Sequence, residues 1–85
     1  MASRFEDSLF IKSIEKGFAI LELFESVENE LSLSEISRLT GYGISGTQRV
    51  LYTLEKLGYI EKNQQTKKYT PGIKTLKLGF TYNRL

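Results

Sequence analysis

Apolar residues recur at Ile11, Ile14, Phe18, Leu21, Phe24 and Val27, with Ile20 and Leu23 widening the stripe and Lys12, Glu15, Lys16, Glu22 and Glu25 between them. Steps of three and four are the helical period, so the spacing predicts an amphipathic helix over 11–27 with Phe18, Phe24 and the leucines in the core. After the polar break Glu28-Asn29-Glu30, Ser32 stands three residues before Glu35. That is capping-box spacing: the serine hydroxyl accepts from the Glu35 amide and the glutamate reaches back. The helix it opens turns Leu33, Ile36 and Leu39 inward and stops at Gly41, a residue suited to the left-handed position that ends helices. Gly41-Tyr42-Gly43 is then a tight turn. The next helix, about 44–57, buries Val50, Leu51, Leu54 and Leu57 with Ile44 leading in, exposes Ser45, Gln48, Arg49, Tyr52 and Lys56, and closes at Gly58 by the same logic.

Beyond Gly58 the period changes. Tyr59-Ile60-Glu61-Lys62 and Lys67-Lys68-Tyr69-Thr70 are short and β-prone, and Asn63-Gln64-Gln65-Thr66 separates them, which reads as a β-hairpin. Pro71-Gly72 breaks the second strand, and Ile73, Leu76 and Phe80 begin a last helix. Two helices around a three-residue turn containing glycine form a helix-turn-helix candidate. A basic hairpin directly after the second of them has the place of a wing. The expected fold is therefore mostly α with a small β-hairpin wing, a winged helix-turn-helix built as a three-helix core plus wing, then the start of a linker helix. Its expected divisions are an N-terminal arm at 1–10, the winged domain at 11–71 and the linker helix from 72 to 85.

Composition narrows the chemistry. Eighty-five residues suffice for one small domain, and the chain contains no Cys and no His. This removes disulfides, thiolate metal sites, a cysteine nucleophile, the usual general base and the commonest metal ligand. Ser, Thr, Lys, Tyr and carboxylates remain, but none forms an evident catalytic pairing, so neither an enzyme nor a cofactor is expected. The longest apolar run, Phe18-Ala19-Ile20-Leu21, is far short of the ~20 residues a membrane span needs. Met1 to Asp7 shows no signal-peptide pattern. A cytoplasmic binding module is the expectation. Charge points to its partner: residues 1–43 hold four Lys and Arg against eight Asp and Glu, whereas residues 44–85 hold eight against two. Such asymmetry suits a domain whose second half meets a polyanion.

Taken in order, these residues resemble the DNA-binding domain of the isocitrate-lyase-regulator (IclR) family of bacterial transcription factors. The likeness runs through Ser13-Ile14-Glu15-Lys16-Gly17-Phe18-Ala19-Ile20-Leu21, then Leu33-Ser34-Glu35-Ile36-Ser37 and Thr40-Gly41. It continues through Arg49-Val50-Leu51, Thr53-Leu54, Leu57-Gly58-Tyr59-Ile60, Tyr69-Thr70-Pro71-Gly72, Leu76 and Leu78-Gly79. The chain departs from the family's commoner residues at Lys16 (Arg), Gly43 (Pro), Gly46 (Thr) and Gln48 (His). Gly43 and Gly46 lower helix propensity by about 1 kcal/mol apiece against Ala, and the four departures together forbid any direct transfer of an operator sequence. The resemblance implies double-stranded DNA as partner, at a two-fold symmetric operator, a homodimer or higher assembly in the full-length protein, and a cytoplasmic, nucleoid-associated location. It also implies that a small-molecule effector acts only through a C-terminal domain absent from this chain.

The candidate DNA-contacting residues fall in four groups. Ile44, Ser45, Gly46, Thr47, Gln48, Arg49 and Tyr52 lie along the second motif helix, whose first turns reach base edges in helix-turn-helix docking. Arg49 can fork onto guanine O6 and N7 or clamp a phosphate; the alternative is a surface salt bridge to Glu55 or Glu61. Thr47 also suits packing or local capping, and Tyr52 is large enough to half-bury. Tyr42 and Gly43 in the turn can meet a phosphate, although Tyr42 serves equally well as a cover for the helix junction. Ser34, near a helix start, can bind phosphate at the positive end of the dipole or simply belong to that start. Lys62, Lys67 and Lys68 in the wing can reach the adjacent backbone or minor groove, and Lys16 joins them by resemblance. A winged helix that binds a protein partner, with Glu22, Glu25, Glu28 and Glu30 facing it, is the competing reading.

Overall fold

A computed structural model describes residues 4–26 and 30–84, with side chains described for 7–25 and 30–78. The helices are α1 (Arg4–Leu9), α2 (Lys12–Leu23), α3 (Leu33–Thr40), α4 (Ile44–Leu57) and α5 (Ile73–Arg84). Two strands, β1 (Ile60–Lys62) and β2 (Tyr69–Pro71), pair antiparallel with Ile60 opposite Pro71 and Lys62 opposite Tyr69. The order is that of a winged helix-turn-helix.

Local chemistry sets the boundaries. The capping box is present in both directions: Ser32 Oγ accepts from the Glu35 amide at 3.1 Å, and Glu35 Oε1 accepts from the Ser32 amide at 2.9 Å. The hydrogen bond from the Ser32 backbone holds the Glu35 carboxyl below the ordinary glutamate pKa, with the Ser32 side chain acting in the same direction. Gly41 ends α3 at φ 79°, where its amide reaches the Ser37 carbonyl at 2.9 Å, and Gly58 ends α4 at φ 92°. Both are left-handed positions that glycine occupies without steric cost. Gly43 is the N-cap of α4, with extended backbone. The helix-interior penalty expected at both glycines therefore applies to Gly46 alone.

The first helix differs from the expected span of 11–27. The α-helix covers Lys12–Leu23 and tightens into one 3-10 turn at Phe24–Ser26, while Val27 lies outside the described residues. Part of the segment read as an arm is itself helical, as α1. The two helices separate at Ile11, whose extended backbone (φ −103°, ψ 103°) makes it the N-cap of α2, its carbonyl receiving the amides of Ile14 and Glu15.

The core consists of Ile20, Phe24, Leu31, Ile36, Leu51, Ile60 and Tyr69, with Leu21, Leu23, Leu33, Val50 and Leu54 packed around it. Three expected core positions are corrected. Phe18 is 57% exposed, and Leu39 and Leu57 are about half exposed. The apolar stripes of α2, α3 and α4 are wider than the surface their neighbours cover, so the outer edge of each faces solvent. Gly17 of α2 faces Val50 of α4, where an added Cβ would make an ordinary contact at 4.0 Å from Val50 Cγ1.

Two long-range connections hold the wing and α5. Leu31, just before α3, exchanges backbone hydrogen bonds with Tyr69 at 3.0 and 2.7 Å, adding a one-residue third strand to the hairpin. Where α5 begins, the Gly72 amide reaches the Tyr59 carbonyl at 2.8 Å and Thr75 Oγ1 donates to the same oxygen at 2.7 Å. A Cβ at residue 72 would lie 2.5 Å from the Gly58 carbonyl oxygen, whereas one at Gly46 meets nothing within 4 Å. Opposite outcomes are expected for two identical changes. Gly72→Ala should lower unfolding free energy by about 1–3 kcal/mol through overpacking against backbone. Gly46→Ala should raise it by up to about 1 kcal/mol through helix propensity. Urea denaturation of both variants checks this.

Candidate nucleic-acid interface

Helix α4 has three longitudinal faces. Thr47, Leu51 and Leu54 point into the protein, with Thr47 and Leu51 fully buried. Gly46, Val50, Thr53 and Leu57 look toward a groove shared with α2. Ser45, Arg49, Tyr52 and Lys56, spaced i, i+4, i+7 and i+11, are exposed and form the outward ridge, with exposed Gln48 beside it. Tyr52 is 60% exposed, and the Lys56 ammonium sits 5.5 Å from its ring centroid, a cation–π pair one helical turn apart. Ile44, 48% exposed, stands at the start of the helix beside exposed Gly43. Of the residues named along this helix, the structure gathers Ile44, Ser45, Gln48, Arg49 and Tyr52 on accessible surface.

Thr47 is elsewhere. It is 1% exposed, and its hydroxyl finds no hydrogen-bond partner among the described residues. Burial removes it from any surface a ligand can reach, so it is corrected to a packing residue. The sequence carried a signal for this: Thr47 lies four residues before Leu51 and seven before Leu54, on the same stripe. Lys56 is the reverse case, an exposed cation on the outward ridge that was read as polar surface and not as a contact.

The turn before α4 is held firmly. Ser37 Oγ donates to the Tyr42 carbonyl, Thr40 Oγ1 donates to the Ile36 carbonyl at 2.7 Å, and the Tyr42 amide donates to Thr40 Oγ1 at 3.3 Å. The Lys16 ammonium lies 5.3 Å from the Tyr42 ring centroid, so the cation on α2 is placed beside the helix-turn-helix corner. Tyr42 is half-buried and Ser34 is exposed on the first turn of α3.

The wing presents its cations unequally. Lys62 is half-buried, with its ammonium 5.6 Å from the Tyr69 ring centroid. Lys68 is exposed and its charge reaches Glu35. Lys67 occupies the tip at φ 64°, a left-handed conformation in which a residue other than glycine carries strain. The turn is organised by Asn63, whose Oδ1 accepts the amides of Gln65 and Thr66 at 2.8 and 3.1 Å, and whose backbone pairs with Lys67 and Lys68. Thr66 Oγ1 donates to Glu30 Oε2 at 2.9 Å, so the wing tip is tied back to the acidic segment before α3.

Residues 13–64 match the model of the IclR helix-turn-helix domain. The chain is 38% identical to the HTH-type transcriptional regulator XynR of Escherichia coli (strain K12) over 69 residues, covering 81% of this chain and 27% of that protein. It is 33% identical to the glycerol operon regulatory protein of Streptomyces coelicolor over 72 residues, 85% of this chain and 28% of that protein. Its fold is similar to the crystal structure of an IclR family transcriptional regulator from Brucella abortus, with TM-score 0.81 and 32% identity over 89% of this chain and 29% of the other. The chain thus spans somewhat more than a quarter of the length of these relatives.

The placement of Thr47 has a thermodynamic consequence. A buried hydroxyl without a partner costs about 1–3 kcal/mol of desolvation. Thr47→Val should therefore leave stability unchanged or raise it by about 1 kcal/mol, and it should leave any DNA affinity intact. Denaturation and a binding titration on the same variant check both halves; a loss of stability would mean that the hydroxyl is hydrogen-bonded.

Proposed function

The chain belongs to the IclR helix-turn-helix family, and from that premise we propose that it is the DNA-binding domain of a bacterial transcriptional regulator that recognises double-stranded DNA in a sequence-specific manner. The observation that carries this reading is the outward ridge of α4, where exposed Ser45, Arg49, Tyr52 and Lys56 follow one another along a helix with no carboxylate among them. In the proposed docking α4 enters the major groove. Arg49 reads a guanine edge, Ser45 and Gln48 reach neighbouring bases, and Ile44 makes apolar contact. Gly43 and Gly46 permit close approach of the helix start to the sugar-phosphate strand.

Backbone contacts position this helix. Ser34 and Tyr42 approach phosphates from α3 and the turn, with Lys16 beside Tyr42. The wing lies along the adjacent backbone or minor groove, led by Lys67 at its tip and followed by Lys68 and Lys62. Binding is an equilibrium event without chemistry. Among the described residues no helix is long and apolar enough to cross a membrane, and a cytoplasmic, nucleoid-associated location goes with the proposed role. Of the acidic residues invoked by the competing reading as a protein-interaction module, Glu22 and Glu25 are exposed, whereas Glu30 is engaged by Thr66; Glu28 lies outside the described residues.

One α4 and one wing cover a half-site, so we also propose that the protein works as a homodimer on a two-fold operator. Leu9, Phe10 and Ile11, each more than half exposed where α1 meets α2, supply an apolar surface for pairing. The effector that the family resemblance implies acts, in this reading, through a further domain of a longer protein, apart from any ligand of this domain.

A gel-shift titration on genomic fragments at two salt concentrations tests the function. Arg49→Ala should cost about 1–3 kcal/mol on the preferred site and relax the preference at one base pair, whereas uniform weakening on all sequences would make it a phosphate clamp. Lys67→Ala should weaken binding evenly and make the salt slope shallower by about 0.9; an unchanged slope would separate the wing from DNA. Sedimentation of the free chain should show micromolar or weaker self-association, with cooperative binding on adjacent half-sites. A nanomolar dimer without DNA, or equal affinity for half and full sites, would contradict the proposed assembly.

A further inference from the structure

The proposed DNA contacts use only Lys16, Gly46 and Arg49 at the rim of the groove between α2, α4 and α5, and leave its apolar floor free. The volume of the groove is about 590 Å³, within the range of small-molecule pockets. Leu21, Val50 and Leu54, all half-buried, line it with the more exposed Phe18, and Leu78 contributes from α5. Its charged groups are all of one sign. Among the described residues, Lys16 and Arg49 belong to the lining and no aspartate or glutamate does. We propose that this groove binds a small amphiphilic carboxylate, with its ring or short alkyl chain between Phe18 and Leu54 and its carboxylate at Arg49 and Lys16.

Charge complementarity selects this occupant. An apolar body alone would make no use of the two cations at the rim, and a cationic ligand would be repelled by both. The guanidinium fork matches a carboxylate in a bidentate arrangement, and such charge-assisted pairs are the stronger hydrogen bonds. Lys16 contributes a point charge from a defined place, because its ammonium is held 5.3 Å from the Tyr42 ring centroid. The site is also adjacent to the outward ridge of α4, and Arg49 belongs to both. A carboxylate on Arg49 withdraws that side chain from the major groove, so ligand and DNA oppose each other's binding by the same factor. This last step rests on the proposed DNA-binding function; occupation of the groove does not.

Amide chemical shifts of the 85-residue chain, titrated with 4-phenylbutyrate and separately with 4-phenylbutanol, test the site. Saturable shifts clustered on Gly17, Gly46, Val50 and Leu54 are expected for the acid, with the alcohol weaker by about tenfold or more, since the charge-assisted contact is lost. Arg49→Gln should bring the acid down to the level of the alcohol. Phe18→Ser, at an exposed side chain that leaves the core intact, should weaken both ligands. Shifts that never saturate, equal affinity for acid and alcohol, or an unaltered Arg49→Gln titration would overturn the proposal. So would groove shifts that follow protein concentration and resist the acid, because a second copy would then fill the site. A parallel DNA titration separates the two readings: absence of DNA binding with saturable shifts rejects the function and leaves the groove site standing. DNA affinity unmoved at saturating acid rejects the shared use of Arg49.

Discussion

The wing and the entry to α3 are joined by one pair of backbone hydrogen bonds, those between Leu31 and Tyr69. A two-stranded hairpin with three residues per strand is marginal on its own. Here the second strand is also paired with the segment that enters α3, and both residues of the bridge are buried, Leu31 at 6% and Tyr69 at 5% exposure. The wing is thereby part of the core. The same bridge fixes where α3 starts, because Ser32 follows Leu31 directly and opens the capping box. Helix α4 is then placed from both ends, by the Ser37 and Thr40 hydrogen bonds at the turn and by the Gly58–Tyr59 corner against which α5 begins. The outward ridge of α4 and the tip of the wing are thus held by one continuous set of contacts.

Rigidity of this kind matters for recognition. A base-reading helix that arrives already oriented loses less entropy on binding than one that must be ordered by its ligand. The strain at Lys67 fits the same logic. Glycine would occupy φ 64° without cost, yet the chain places a cation there. Strained positions persist where the surroundings over-determine them, and here Asn63 accepts the Lys67 amide at 2.7 Å and the turn closes around it. In the proposed complex the charge at the tip of the wing is the return for that strain.

Much of this architecture was legible in the chain. Ser32 with Glu35, Gly41 and Gly58 mark boundaries by local backbone chemistry, and local chemistry survives translation into three dimensions. The span of α4 was readable for the same reason. Pro71, expected to break the second strand, is instead its last residue, opposite Ile60, and Lys67 and Lys68 lie before that strand begins. What escaped was non-local or depended on neighbours. The Leu31–Tyr69 bridge joins residues far apart in sequence, and a one-residue strand has no periodicity to announce it. The division between α1 and α2 falls within Phe10 and Ile11, apolar residues whose type says nothing of an extended backbone. Phe18 and Leu57 follow the core period faithfully, but period identifies a face and not whether another element covers it. Thr47 shows the opposite error, since residue type outweighed a position on the buried stripe. Arg49 was legible as an exposed cation, whereas its place beside an apolar groove required the packing of α2 against α4.

The central claim is that the outward ridge of α4, and not the apolar surface of α1 and α2, meets the duplex. The absence of native cysteine allows a direct measurement, because one introduced thiol carries a photo-crosslinker without competition. Ser45→Cys on the ridge and Glu22→Cys on the exposed acidic side of α2 are labelled separately and irradiated with duplex DNA containing the preferred site. The account predicts crosslinks from position 45 to bases within a single half-site, and none from position 22 above that of unrelated DNA. Base crosslinks from position 22 with none from position 45 would contradict it.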